Sequence, residues 1–206
     1  TVADLPKIFA FDSLTGESID CPEALDTVYD PGAITVFLNF IKEEKVLEFK
    51  EGNFWNGTNS AIPSYVHAVS RVPLDAVSVI RFRAPSYTET TSGVGPFDPD
   101  ADVRYWSFCI QNLKESQTLG CTPDYMAKLD GNGFATIVVG RGEAVRKAAE
   151  EQGFTFLEDR RDPSQEVLGY FYRNLLPQEF FVPYQGEYLP TGIVCAQDEF
   201  LSGRCH

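Results

Sequence analysis

Three aspartates at alternating positions in the stretch FDPDADV, namely Asp98, Asp100 and Asp102, have the spacing in this chain that comes nearest to a metal site. Alternate carboxylates on a bent loop can turn toward one hard cation, as the first ligands of many calcium loops do. The stretch lacks the glycine that would follow the third acid and the downstream glutamate that would complete the shell. Calcium is thus the one cofactor for which the chain offers candidate ligands. An acidic, solvated loop accounts for the same residues without a metal.

Nucleophilic catalysis has less to draw on. A serine hydrolase needs a serine beside a histidine that a carboxylate orients. The chain has two histidines, His206 at its end and His67 between Val66 and Ala68 in an extended run. No GxSxG elbow occurs, and Ser107 lies inside an apolar strand pattern. His67 and Ser107 therefore read first as sheet residues with local hydrogen bonds. Arginines are the third group: Arg81 and Arg83 on one strand face, Arg104 on another strand, Arg173 on a late one. Two or more converging could hold a carboxylate or phosphate bidentately, whereas in an acidic protein strand arginines more commonly pair with carboxylates.

Tyr105, Trp106, Tyr170, Phe171, Tyr172, Phe180, Phe181 and Tyr184 could build a stacking platform for a ligand. Alternation assigns most of them to a core. The irregular FFVPYQGEY segment is different, because chain so rich in aromatics must cover its own core or a neighbouring subunit.

The five cysteines, Cys21, Cys109, Cys121, Cys195 and Cys205, show no CxxC pair and no zinc-finger spacing. Disulfides are the better reading: Cys195 could close a short C-terminal loop with Cys205, and Cys109 could meet Cys121 across neighbouring strands, although spacing alone does not fix the connectivity. Cys21 is then the odd thiol. Such usage points to an oxidising compartment, secreted or periplasmic. The Asn56-Gly57-Thr58 sequon is compatible with export as a glycosylation candidate.

Seventeen Lys and Arg against thirty Asp and Glu leave a net charge of −13. That surface repels phosphate backbones and anionic membranes, so nucleic acid is not an expected partner. No apolar run reaches the roughly 18 residues of a helical span, and no membrane insertion is expected. The opening residues TVADLPKIFAFD carry no basic, apolar leader; a removed signal or none fits equally.

The elements that must position these residues read as strands. In DVRYWSFCI, Trp106, Phe108 and Ile110 point one way and Val103, Tyr105, Ser107 and Cys109 the other, which predicts a central strand covered on both faces. Asp130-Gly131-Asn132-Gly133 predicts a turn joining two extended runs as a hairpin. YVHAVSRVP, AVSVIRFRAP, FTFLE and EVLGYFYRNLL read as further strands, and KIFAF as an early one. Residues 34–49 carry a helical stripe at Ile34, Phe37, Ile41 and Leu47, while the β-branched start Ile34-Thr35-Val36 argues equally for a strand; helix is the preferred reading. EAVRKAAEEQ is the clear helix, with Gly153 as its left-handed cap. Residues 52–60 and the long polar stretch SYTETTSGVGPFDPDAD read as loops.

The ordered series YVHAVSRVPLDAVSVIRFRAPSY, DVRYWSFC, LDGNGFATIVV and YFYRNLLP resembles uncharacterised secreted bacterial proteins with an RYWS-type strand. More distantly it looks like the β-rich domain catalogued as Domain of Unknown Function 1214. The similarity runs from about Ser64 to Pro177 and implies a jelly-roll-like sandwich, with no catalytic residues to carry over.

The expectation is one mainly β domain, an antiparallel β-sandwich with one or two peripheral helices. Residues 1–60 form its least regular part, 61–176 the sandwich core, and 177–206 an aromatic, cysteine-containing tail. The expected role is a secreted, non-catalytic module in binding or assembly, its partner being itself, another extracellular protein or a small ligand. The alternative is a jelly-roll-type enzyme, hydrolytic or metal-assisted, with its site between the sheets and His67 as its best residue.

Overall fold

A computed structural model describes residues 10–11, 18–19, 41–51, 65–90, 93, 98–115, 117–182 and 184–205. The candidate thiol Cys21, the sequon at Asn56, and most of the stretches KIFAF and 34–40 lie outside them.

Two five-stranded sheets face each other. The strands in chain order are β1 (Ala10–Phe11), β2 (Ser18–Ile19), β3 (Val46–Glu48), β4 (Lys50–Glu51), β5 (Tyr65–Arg71), β6 (Ala76–Arg83), β7 (Val103–Asn112), β8 (Gln117–Pro123), β9 (Phe134–Gly140), β10 (Thr155–Glu158), β11 (Val167–Pro177) and β12 (Thr191–Ala196). Helix α1 is Glu143–Glu151 and α2 is Gln197–Leu201. Sheet I has the order β10-β9-β6-β12-β3 and sheet II the order β4-β5-β11-β7-β8, while β1 and β2 pair separately. This is the mainly β sandwich with two peripheral helices that the strand pattern implies.

Alternation explains the interior. Val66 and Ala68 from β5, Trp106, Phe108 and Ile110 from β7, and Tyr170 and Tyr172 from β11 meet Ile80, Phe82, Ile137 and Val139 from sheet I. Phe49 sits where the chain passes from β3 in sheet I to β4 in sheet II, its ring near Phe108 and Tyr170. The Ser78 and Tyr170 hydroxyls bond across the interlayer at 2.6 Å, so this buried phenol is satisfied and its pKa is raised by burial. On the other side of sheet I, Val77 and Val138 pack beneath Val145 and Ala149 of α1 and Phe200 of α2. Gly169 is required by packing: a Cβ there would stand 2.8 Å from both the Leu113 and Phe171 side chains.

Four sequence expectations change in detail. β7 is interior but not central, since β11 occupies the middle of sheet II. Its Trp106 face is fully buried, while Tyr105 and Cys109 on the other face are only half-buried. Residues 46–48 of the stretch read as helical are strand, because Leu47 must enter the core beside β12. The Asp130 turn exists, with Gly133 at φ 79° and the Asp130 N–H bonded to the Phe134 carbonyl at 2.9 Å. Its first arm is not a strand, however: DYM forms a 3-10 turn, and pairing shrinks to the single bridge Leu129–Ala135. Finally, β9-α1-β10 is a parallel βαβ unit, whereas the other paired strands among the described residues are antiparallel.

Both proposed disulfides form. Cys109 and Cys121 face each other directly across β7 and β8, with a Cα separation of 4.1 Å. Cys195 and Cys205 tie β12 to the turn after α2.

Candidate functional site

Three connections between the sheets meet at one end of the sandwich: β6–β7, β8–β9 and β11–β12. The register dictates this, since the end of β6 pairs with the start of β9, and the start of β7 pairs with the ends of β8 and β11. Hydrogen bonds knit the three together. The Asp102 carboxylate accepts the Ser86 N–H and hydroxyl, both at 2.8 Å, and its carbonyl accepts the Gln178 N–H at 2.9 Å. Ala84 N–H reaches the Gly133 carbonyl at 3.0 Å.

This end concentrates exposed apolar side chains. Eight large hydrophobic residues are exposed among those described. Six of the eight lie here: Tyr125, Met126 and Leu129 on the β8–β9 connection, and Leu176, Phe180 and Val182 at or beyond the end of β11. Sheets with a covered core do not need such residues outside, and clustered apolar exposure marks interaction surfaces. Leu176 and Tyr184, the two non-glycine residues with positive φ among those described, bracket the Phe180–Val182 stretch at 49° and 61°. Left-handed backbone at non-glycine residues persists where surrounding contacts enforce it. Here Phe181 and Tyr184 turn inward as the anchors, with the Tyr184 hydroxyl accepting the Asn174 N–H at 2.8 Å. The FFVPYQGEY segment therefore covers its own core through two residues and offers two others to solvent.

Beneath this strap lies an unusual polar group of side chains. Trp106 Nε1 is buried without a regular hydrogen bond, and the Asn174 amide and the Tyr172 hydroxyl beside it are buried with only a poorly formed bond to each other. Asn174 and Trp106 are cross-strand neighbours, so the three residues form one patch on the inner face of sheet II. Phe82, with its ring 4.4 Å from Tyr172, closes it from sheet I. Next to it, buried Asp124 accepts the Trp106 and Tyr125 backbone N–H groups. Burial pushes its carboxyl above the ordinary range, aided by Glu89 and opposed by those bonds and by Arg104.

The sequence-derived candidates are only partly brought together. Asp98, Asp100 and Asp102 are all at this end, but as an internally bonded loop. Asp98 accepts the Asp100 N–H at 3.0 Å while Asp102 holds Ser86. Among the described residues no three His, Cys, Asp or Glu side chains converge on one metal position.

The arginines do not share a pocket. Arg81 lies over the Phe134 ring and pairs with Asp130 at 2.8 Å, and Arg83 pairs with Glu187 at 3.2 Å. Both project from the outer side of sheet I, whereas exposed Arg173 belongs to sheet II between Tyr65 and Ser107. Arg104 stands near Asp124, and Tyr105 is half-buried opposite Leu175.

His67 is on the outer face of sheet II, stacked on Phe171 with ring centres 6.1 Å apart. It lines a cavity of about 490 Å³ with Glu44, Glu48 and Lys50, and burial, then Lys50, hold its imidazole below the ordinary range. The interlayer space, the place of the site in the alternative enzymatic reading, is filled at this level by Phe49, Phe82, Phe108 and Tyr170.

Sequence reasoning missed Tyr125, Met126, Leu129, Leu176 and the buried, poorly bonded amide of Asn174. The clue available was the break of alternation at Pro123, after which Tyr-Met-Ala-Lys-Leu no longer fits a strand with one covered face.

No family model and no curated protein matches the chain by sequence. Among solved structures there is a match in shape. The fold resembles that of an uncharacterised protein from Burkholderia cenocepacia. The TM-score is 0.50 at 13% identity, over 82% of this chain but 39% of the Burkholderia one. The VPA0106 protein from Vibrio parahaemolyticus aligns with a TM-score of 0.36 at 15% identity, over 64% of this chain and 30% of its own length. The first likeness supports the sandwich architecture and nothing finer.

Proposed function

We propose that the chain is a secreted, non-catalytic β-sandwich module that binds another extracellular protein through the loop end of the sandwich. The observation that carries this reading is the gathering of six of the eight exposed large hydrophobic residues on two connections at that end. Two disulfides favour an oxidising compartment, and no helix among the described residues is long and apolar enough to cross a membrane.

Binding modules of this architecture use rigid strands to hold recognition loops, and here Asp102, Gln178 and the anchors Phe181 and Tyr184 do the holding. Calcium, if it has a role, would act on the Asp98–Asp102 loop as a stabiliser. The enzymatic alternative rests on His67 with Glu44 and Glu48 along one cavity.

A photo-reactive side chain at position 180 tests the reading in the extracellular fluid of the producing cell. A cross-link at 180 that is absent from the same probe at Glu150 on α1 is the expected result. Equal labelling from both positions, or none at 180, overturns it.

A further inference from the structure

We infer that the loop end recognises a cationic, amphipathic polypeptide segment; this deepens the binding reading above and rests on it. The three connections, residues 84–102, 124–133 and 178–190, contain eight acids, Glu89, Asp98, Asp100, Asp102, Asp124, Asp130, Glu179 and Glu187, against the single lysine Lys128. That is a formal −7, more than half of the chain's net −13. Arg81 and Arg83 on the flanking strands engage Asp130 and Glu187, and Arg104 stands by Asp124. Asp100 and Glu179 are exposed and Asp98 is half-buried, and none of the three is paired with a basic side chain in a salt bridge among the described residues.

The end is therefore apolar and anionic at once. A symmetric pair of copies joined here would bring two such ends together, and like charges facing each other across an interface repel. Nucleic acid and anionic lipid are repelled for the same reason. Six large side chains spread over two loops exceed what a small organic cation would cover. What complements both properties is a segment that lays aliphatic or aromatic side chains on Met126, Leu176 and Phe180 and sets lysine or arginine against the acids. Complementary charge speeds encounter and selects the partner, and apolar contact at the centre supplies the affinity.

The test uses the full disulfide-bonded chain and three short synthetic peptides built from leucine and phenylalanine with lysine, glutamate or serine. Fluorescence anisotropy is expected to show the lysine peptide binding about tenfold or more tighter than the serine one, with the glutamate peptide weakest, and the preference shrinking as salt rises. Leu176→Ser with Phe180→Ser should abolish binding, and Asp98→Asn with Asp100→Asn should remove the lysine preference while retaining weak serine-peptide binding. Both pairs are exposed or loop residues, and an unchanged near-ultraviolet circular dichroism spectrum confirms each fold.

If all three peptides bind equally and the Leu176/Phe180 pair weakens them all, the partner class is overturned while the binding end stands. Lysine-peptide binding that survives the Leu176/Phe180 pair overturns the site, and the absence of any binding overturns the inference. Concentration-dependent self-association that is lost in the same variant would replace it with a second copy.

Discussion

Arg161 closes on Asp159, two residues earlier, as a buried bidentate ion pair, Nε to Oδ1 at 2.9 Å and Nη2 to Oδ2 at 2.7 Å. The Arg161 side chain is fully buried, and its remaining N–H groups reach the Val72 carbonyl at 3.1 Å and the Glu166 carbonyl at 2.6 Å. One guanidinium thus ties the chain leaving β10 in sheet I to the ends of β5 and β11 in sheet II. Arg141 adds a bond to Asp159 at 3.2 Å and one to the Arg161 carbonyl at 2.5 Å. In the sequence these residues stand in the charged run Glu158-Asp159-Arg160-Arg161-Asp162.

Removing one member should be costly. Asp159→Asn leaves the Arg161 charge buried without its counter-ion and is expected to destabilise the fold by about 3–5 kcal/mol. Urea denaturation of the variant beside the parent measures it. A loss below ~1 kcal/mol would mean the pair is replaceable by solvent.

Acid should unfold the protein partly through the same residue. Burial pushes the Asp159 carboxyl up, but the Arg161 hydrogen bonds and charge outweigh it and leave the pKa lowered. The Asp130 pKa is lowered from 3.8 to about 2 by the Phe134 N–H, the Arg81 side chain and the Asn132 N–H. Groups whose folded pKa is depressed contribute stability above their unfolded pKa, and that contribution is lost as pH falls through the folded value. Stability should therefore decline from about pH 4 and, for Asp130, be lost by about pH 2. In Asp130→Asn the decline over that window should flatten, and an unchanged acid limb would remove Asp130 from the account.

The two bridges close short loops, with separations of 12 and 10 residues. Loop-closure entropy for such lengths corresponds to about 3 kcal/mol each. Cys109→Ser with Cys121→Ser, and separately Cys195→Ser with Cys205→Ser, should each lower stability by about that amount in denaturant titration. Loss of all structure on reduction would show that the sandwich core is weaker than its burial suggests.

Two buried polar residues, Ser78 on sheet I and Asn174 on sheet II, should respond differently to becoming apolar. Ser78→Ala takes away the partner of the Tyr170 hydroxyl and should cost about 1–3 kcal/mol. Asn174→Leu removes amide atoms whose one contact, with the Tyr172 hydroxyl, is poorly formed, and should stabilise the fold by about 1 kcal/mol or leave it unchanged. A clear loss in Asn174→Leu would show that ordered water satisfies the Trp106–Tyr172–Asn174 patch.

Much of the architecture was determined by the sequence itself, because alternation is local. Burial of Trp106, Phe108 and Ile110, the strands around them and the α1 helix ending before Gly153 follow from period and turn chemistry, whereas the sequence offered the pairing of Cys109 with Cys121 without fixing it. The acidic loop at Asp98–Asp102 was legible as a place of interest for the same reason. What alternation does not encode is which strands become neighbours and which loops meet at one end. Only the packed sheets decided that Asp102 would knit loops, that the four arginines would part to two sheets, and that Arg161 would be buried. Only they brought Met126 and Phe180, 54 residues apart in the chain, to the same end of the sandwich. Such relations depend on sheet order and register, which are set by the sum of long-range contacts and not by any one stretch of residues.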